Sequence, residues 1–138
     1  MKKLILLFSA TLVLAGCSSD DNSSQDIEGI IYGKWYQKEM VVNNTVIPYD
    51  DHESCGKDYI EFYDTDKIRS IDVWDCEEDL DWMGTFTKAG AILTISNGNE
   101  SRTVEIIELT TESLAYKYDY DDDGNGINEH YIEKFTKQ

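Results

Sequence analysis

Three sets of residues in this 138-residue chain have the type and spacing for chemistry: a carboxylate-rich run, a group of aromatic side chains and three cysteines. The run Asp119-Tyr120-Asp121-Asp122-Asp123-Gly124-Asn125-Gly126 holds Asp-x-Asp-x-Asp-Gly and, two residues on, Asp-x-Asp-x-Asn-Gly, both matching the start of a calcium loop. Oxygen donors at alternate positions, Asp119, Asp121, Asp123 and Asn125, suit a hard cation. The Glu that such a loop needs at its twelfth position is missing, since the two frames reach His130 and Ile132. The plainer reading is a charged hairpin tip; calcium is the one candidate cofactor. Trp74, Trp82, Tyr116, Tyr118 and Tyr120 lie amid Asp and Glu, a mixture that serves either sugar stacking or ordinary cross-strand packing. No Gly-x-Ser-x-Gly, phosphate loop or zinc-protease helix is present, and neither His52 nor His130 has a nucleophile in its sequence context. The chain is therefore expected not to be an enzyme, with no catalytic residues.

The first cysteine closes an export signal. Met1-Lys2-Lys3 gives a positive start, Leu4 to Ala15 is almost uninterruptedly apolar, and Leu14-Ala15-Gly16-Cys17 ends it as a lipobox. As a helix the apolar run would measure about 18 Å, well short of the roughly 30 Å a membrane span must cross. Residues 1–16 thus read as a lipoprotein signal peptide and Cys17 as the acylated first residue of the mature chain; the alternative is ordinary secretory cleavage that leaves a thiol. Two or three acyl chains, at about 0.8 kcal/mol per buried CH₂, hold a protein on a bilayer effectively permanently. Residues 17–26 supply no apolar side chain for a core and read as the lipidated Cys with a flexible acidic tether. Once exported, Cys55 and Cys76 form an even pair in an oxidising compartment. A disulfide is expected between them; two free thiols, or a metal site drawing on His52 and His130, are the alternatives.

The chain has 12 basic and 28 acidic side chains, and loss of Lys2 and Lys3 with the signal makes the imbalance greater. Such a surface excludes nucleic acid as a partner. It keeps an exported protein soluble, and it also leaves cation binding open. Residues 27–138 suffice for one core and no more.

Short runs rich in Val, Ile, Thr, Tyr and Trp recur about every ten residues, the mark of an all-β sandwich or barrel. Eight strands are expected: Gly33 to Val42, Asp58 to Tyr63, Lys67 to Trp74, Asp81 to Lys88, Ala91 to Ser96, Ser101 to Leu109, Glu112 to Tyr120 and Ile127 to Thr136. Connectors such as Asn43-Asn44, Ala89-Gly90 and Asn97-Gly98 are too short for parallel crossovers, so the strands form an antiparallel up-and-down meander. Closure into a barrel removes its exposed edges. Alternation places Leu114, Tyr116, Tyr118 and Tyr120 on one face of the seventh strand, and Trp82, Gly84 and Phe86 on one face of the fourth. The third and eighth are apolar on both faces, which leaves them without an orientation. Asp26 to Ile31 is expected to form a short turn plugging one end.

Gly33-Lys34-Trp35-Tyr36 on the first strand resembles the Gly-x-Trp opening of lipocalins. With Gly84-Thr85-Phe86, Gly90-Ala91-Ile92-Leu93-Thr94-Ile95 and Tyr131 to Lys137 in that order, the chain from Ile27 to Lys137 resembles the lipocalin-like domain lipoproteins of Bacteroidetes. The resemblance implies a lipocalin-like barrel with Trp35 packed across a closed end under a basic residue, Lys137 or else Lys134. It also implies a cysteine pair at Cys55 and Cys76. The acidic stretch behind Cys17 resembles the export signal that sends such lipoproteins to the outer face of the outer membrane; the alternative is a periplasm-facing anchor. The expected function is a membrane-anchored, non-enzymatic protein whose partners are the bilayer, through Cys17, and a small apolar or amphipathic ligand contacted by Trp74, Trp82, Tyr116 and Tyr118. The alternatives are a surface module for glycan, protein or calcium, and a structural envelope lipoprotein without a ligand. A barrel this small holds one ligand or fills its interior with side chains.

Overall fold

The computed structural model of the chain describes residues 30–49 and 54–137. Cys17, the signal and tether, His52 and most of the expected turn at Asp26 to Ile31 lie outside the described residues.

Alternating apolar side chains build nine antiparallel strands: β1 (Gly33–Val42), β2 (Thr45–Pro48), β3 (Tyr59–Tyr63), β4 (Lys67–Trp74), β5 (Glu77–Ala89), β6 (Ile92–Ser96), β7 (Ser101–Leu109), β8 (Ser113–Tyr120) and β9 (Glu129–Thr136). β1 pairs with β3, each strand from β3 to β8 pairs with the next, and β9 returns to β1, which closes an eight-stranded barrel as expected. The extra strand, β2, follows a two-residue turn in which Asn43 and Asn44 adopt left-handed φ of 48° and 68°. It covers the far half of β1, Glu39–Val42, on the edge where β3 reaches only Gly33–Tyr36. Local pattern does not mark it, since it is four residues long, wholly exposed and ends in Pro48, which lacks an amide donor and is confined to edges.

The strand expected from Asp81 starts earlier. Asp75 and Cys76 both take left-handed φ, 52° and 65°, and compress the connection into a two-residue hairpin. Glu77-Glu78-Asp79, left between the strands expected to end at Trp74 and to start at Asp81, therefore pairs with Trp74, Val73 and Asp72 as strand. A disulfide joins Cys76 to Cys55 and straps the segment before β3 onto this hairpin. Beneath it Tyr59, Ile71 and Val73 are buried on the outer face of the barrel. That explains why the third expected strand is apolar on both faces: Ile68 faces the main core, whereas Ile71 and Val73 face outward under the strap.

The main core fills the lower barrel with Trp35, Phe62, Ile68, Phe86, Leu93 and Leu114. At the closed end Trp35 has no exposed surface, and its indole N–H donates to the Ile31 carbonyl at 2.6 Å. Lys137 Nζ sits 4.6 Å from the Trp35 ring centroid and donates to the carbonyls of Ile30 and Tyr32. Lys134 pairs instead with Glu39 at 2.7 Å. Gly33 has φ +110°, a conformation closed to ordinary side chains, which gives the glycine of the Gly-x-Trp run a physical reason. Among the described residues the buried core side chains run from Ile31 to Phe135.

Candidate functional site

Above this packed half the barrel is open. β6 pairs only with Thr85–Ala89 of β5, so Glu77–Gly84 has no partner on that side and the wall dips. Acidic side chains at positions 77, 78, 79 and 81 guard the free edge, a common protection against edge-to-edge pairing. The resulting cup has a volume of about 830 Å³ and reaches solvent past Asn97, Glu100 and Tyr120. That falls in the range of small-molecule sites.

Two kinds of wall meet in the cup. Ile60, Trp82, Ile95, Val104 and Phe135 form an apolar side. Beside Phe135, β8 and β9 present the polar part of the lining, set by their register: Tyr116 stands directly across from Glu133, and Tyr118 from Tyr131. The Tyr116 hydroxyl donates to Glu133 Oε2 at 2.9 Å and the Tyr118 hydroxyl to Oε1 at 2.6 Å, so each carboxylate oxygen holds one phenol. Burial, with the Glu133 charge beside it, pushes the Tyr116 phenol well above its ordinary value, and the same causes raise Tyr118. Both therefore remain hydrogen-bond donors at neutral pH. Tyr118 also stacks on Tyr131, with ring centroids 5.2 Å apart and planes 5° from parallel.

Arg102 is the one cation among the described residues lining the cup. Its guanidinium lies 4.7 Å from the Tyr118 ring centroid and 5.0 Å from that of Tyr120. Held by two ring faces, it forms no hydrogen bond or ion pair with another described residue.

Of the aromatic residues expected at a ligand site, Trp82, Tyr116 and Tyr118 line the cup. Trp74 does not; it stands 58% exposed at the tip of the β4–β5 hairpin. Reasoning from sequence missed Arg102 and Glu133. The signal for Arg102 was its shared parity with Val104 and Ile106 on β7, and Glu133 lies on the strand whose two apolar faces gave no orientation.

The acidic run is a loop between β8 and β9, and its side chains serve its own backbone. Asp121 accepts the amides of Asn125 and Gly126, and Asp123 also accepts that of Asn125. Asp119 meets His130 Nδ1 at 2.8 Å. Among the described residues no three His, Cys, Asp or Glu side chains converge in a metal-holding group.

The lipocalin-like domain family matches residues 31–116, and the prokaryotic membrane lipoprotein lipid attachment site matches residues 1–18. A lipocalin-like protein from Bacteroides uniformis is 17% identical with a TM-score of 0.58, the alignment covering 80% of this chain and 100% of that one. An uncharacterized protein from Bacteroides eggerthii is 16% identical with a TM-score of 0.56, covering 78% of this chain and 99% of that one. At such identities the likeness is one of fold. No curated protein sequence matches the chain.

Proposed function

Since the chain belongs to the lipocalin-like domain family and begins with a lipoprotein lipid attachment site, we propose that it is a membrane-anchored, non-enzymatic protein that holds a small amphipathic molecule in its barrel. The observation that carries this reading is the half-filled interior, packed below and open above, with apolar and polar side chains together lining the open part. A purely apolar ligand would make no use of the Arg102 donors at the rim, whereas a fully polar one would gain nothing from Ile60, Val104 and Phe135. Anchoring comes from Cys17, and the acidic tether supports a position on the outer face of the outer membrane. Gly33 starts β1 at the closed end, so the chain reaches the barrel there and the cup opens at the opposite end.

Thermal melts of the chain from Ile27 onward, with small amphiphiles, oligosaccharides and calcium in parallel, test the reading. A ligand at 100 times its dissociation constant stabilises by about 2.7 kcal/mol, a shift of several degrees for a domain of this size. Amphiphiles are expected to raise the melting temperature. A rise with oligosaccharides or calcium and none with amphiphiles would move the function to the exposed loops; no shift at all would favour a structural lipoprotein.

A further inference from the structure

The chemistry of the cup narrows its ligand class. Glu133 is already satisfied, one phenol on each carboxylate oxygen, so the Tyr116 and Tyr118 hydroxyls are committed too. Arg102 differs. Its guanidinium lies over the Tyr118 and Tyr120 rings, and this exposed side chain makes no hydrogen bond or ion pair with another described residue. A guanidinium so held is already oriented, and its planar fork matches a carboxylate through two parallel hydrogen bonds. A ligand cation, by contrast, would find the Tyr118 and Tyr120 ring faces taken by Arg102 itself.

We propose that Arg102 is the head-group residue of the cup and that the ligand is a small amphipathic anion, its carboxylate on the Arg102 edge and its apolar body against Ile60, Trp82, Ile95 and Val104. This rests on the cup being a ligand site at all. Glu100 and Asp119 also line the cup, and the chain as a whole is acidic, so the general field opposes an anion. Screening confines that opposition to roughly 8 Å per charge at physiological salt, and the preference for an anion therefore depends on contact with Arg102.

The test is calorimetric titration of the full chain with decanoate, decanol and decyltrimethylammonium, on the parent and on Arg102→Gln and Arg102→Lys. Decanoate is expected to bind on the order of tenfold or more tighter than decanol, to lose that advantage in Arg102→Gln, and to recover part of it in Arg102→Lys. An unchanged far-ultraviolet circular dichroism spectrum and melting temperature in both variants would show that the barrel remains intact. Equal binding of decanoate and decanol in the parent, or preference for the ammonium probe, overturns the anion assignment while leaving the cup as a ligand site. Failure of all three probes to bind overturns the cup reading itself.

Discussion

Gly84 is where the barrel has least room, and it sets two expectations of opposite sign against each other. On β5 it faces inward opposite Ile68, and the end of β6 passes directly over it. A Cβ built there would lie 2.1 Å from the Ser96 carbonyl oxygen, 2.9 Å from the Ser96 carbonyl carbon and 3.1 Å from the Asn97 Cα. All three are backbone atoms, so no rotamer change relieves the contact; β6 must move away by about 1 Å. Propensity alone says that Gly→Ala in a strand stabilises by roughly 0.5–1 kcal/mol. Overpacking costs about 1–3 kcal/mol, and with only backbone to displace the upper end applies, leaving a net loss of about 2 kcal/mol. At about 4 °C or more per kcal/mol for a domain near 100 residues, Gly84→Ala should lower the melting temperature by roughly 8–10 °C. Far-ultraviolet circular dichroism on heating measures it. A melting temperature equal to or above the parent's would refute the reasoning, because it would mean that β6 does not cross Gly84 as closely as described.

Two further outcomes follow from the strap and the polar wall. Replacing Cys55 and Cys76 together by Ala opens a loop with a sequence separation of 21 residues and should cost roughly 3 kcal/mol in chemical denaturation; an unchanged midpoint would show that the hairpin and the outer cluster of Tyr59, Ile71 and Val73 hold without it. Tyr116, fully packed against Glu133 and Phe135, has its phenol raised above the ordinary value of 10.0. An unfolded chain releases that proton near pH 10 while the folded one keeps it, so the stability from this group is complete below about pH 10 and is lost as pH rises toward the folded value. The denaturation midpoint should therefore fall on going from about pH 9 to about pH 11, and less steeply in Tyr116→Phe; equal slopes in the two proteins would assign the alkaline loss elsewhere.

What could be read from the chain followed from local pattern. Period-two alternation orients the strands holding Trp82 and Tyr116, and the short Asn- and Gly-containing connectors require antiparallel pairing, so the eight-stranded closed barrel is legible in the sequence. The lipobox ending at Cys17 is equally local, since processing reads a linear segment. Where pattern was silent, the cause was a neighbour distant in sequence. Ile71 and Val73 look like a second inner face until the Cys55–Cys76 strap covers the outer one. Glu77, Glu78 and Asp79 look like a loop until two left-handed residues fold them back onto β4. The same holds for the site. Single strands named Tyr116 and Tyr118, but only the β8–β9 register sets them against Glu133, and only the β7–β8 pairing carries Arg102 alongside the Tyr118 and Tyr120 rings. Sequence by itself determined the anchor and the strands, because both depend on residues adjacent in the chain. Tertiary structure decided that the barrel is half filled, and which charges face its cup, because those depend on cross-strand register and on the face that closure turns inward.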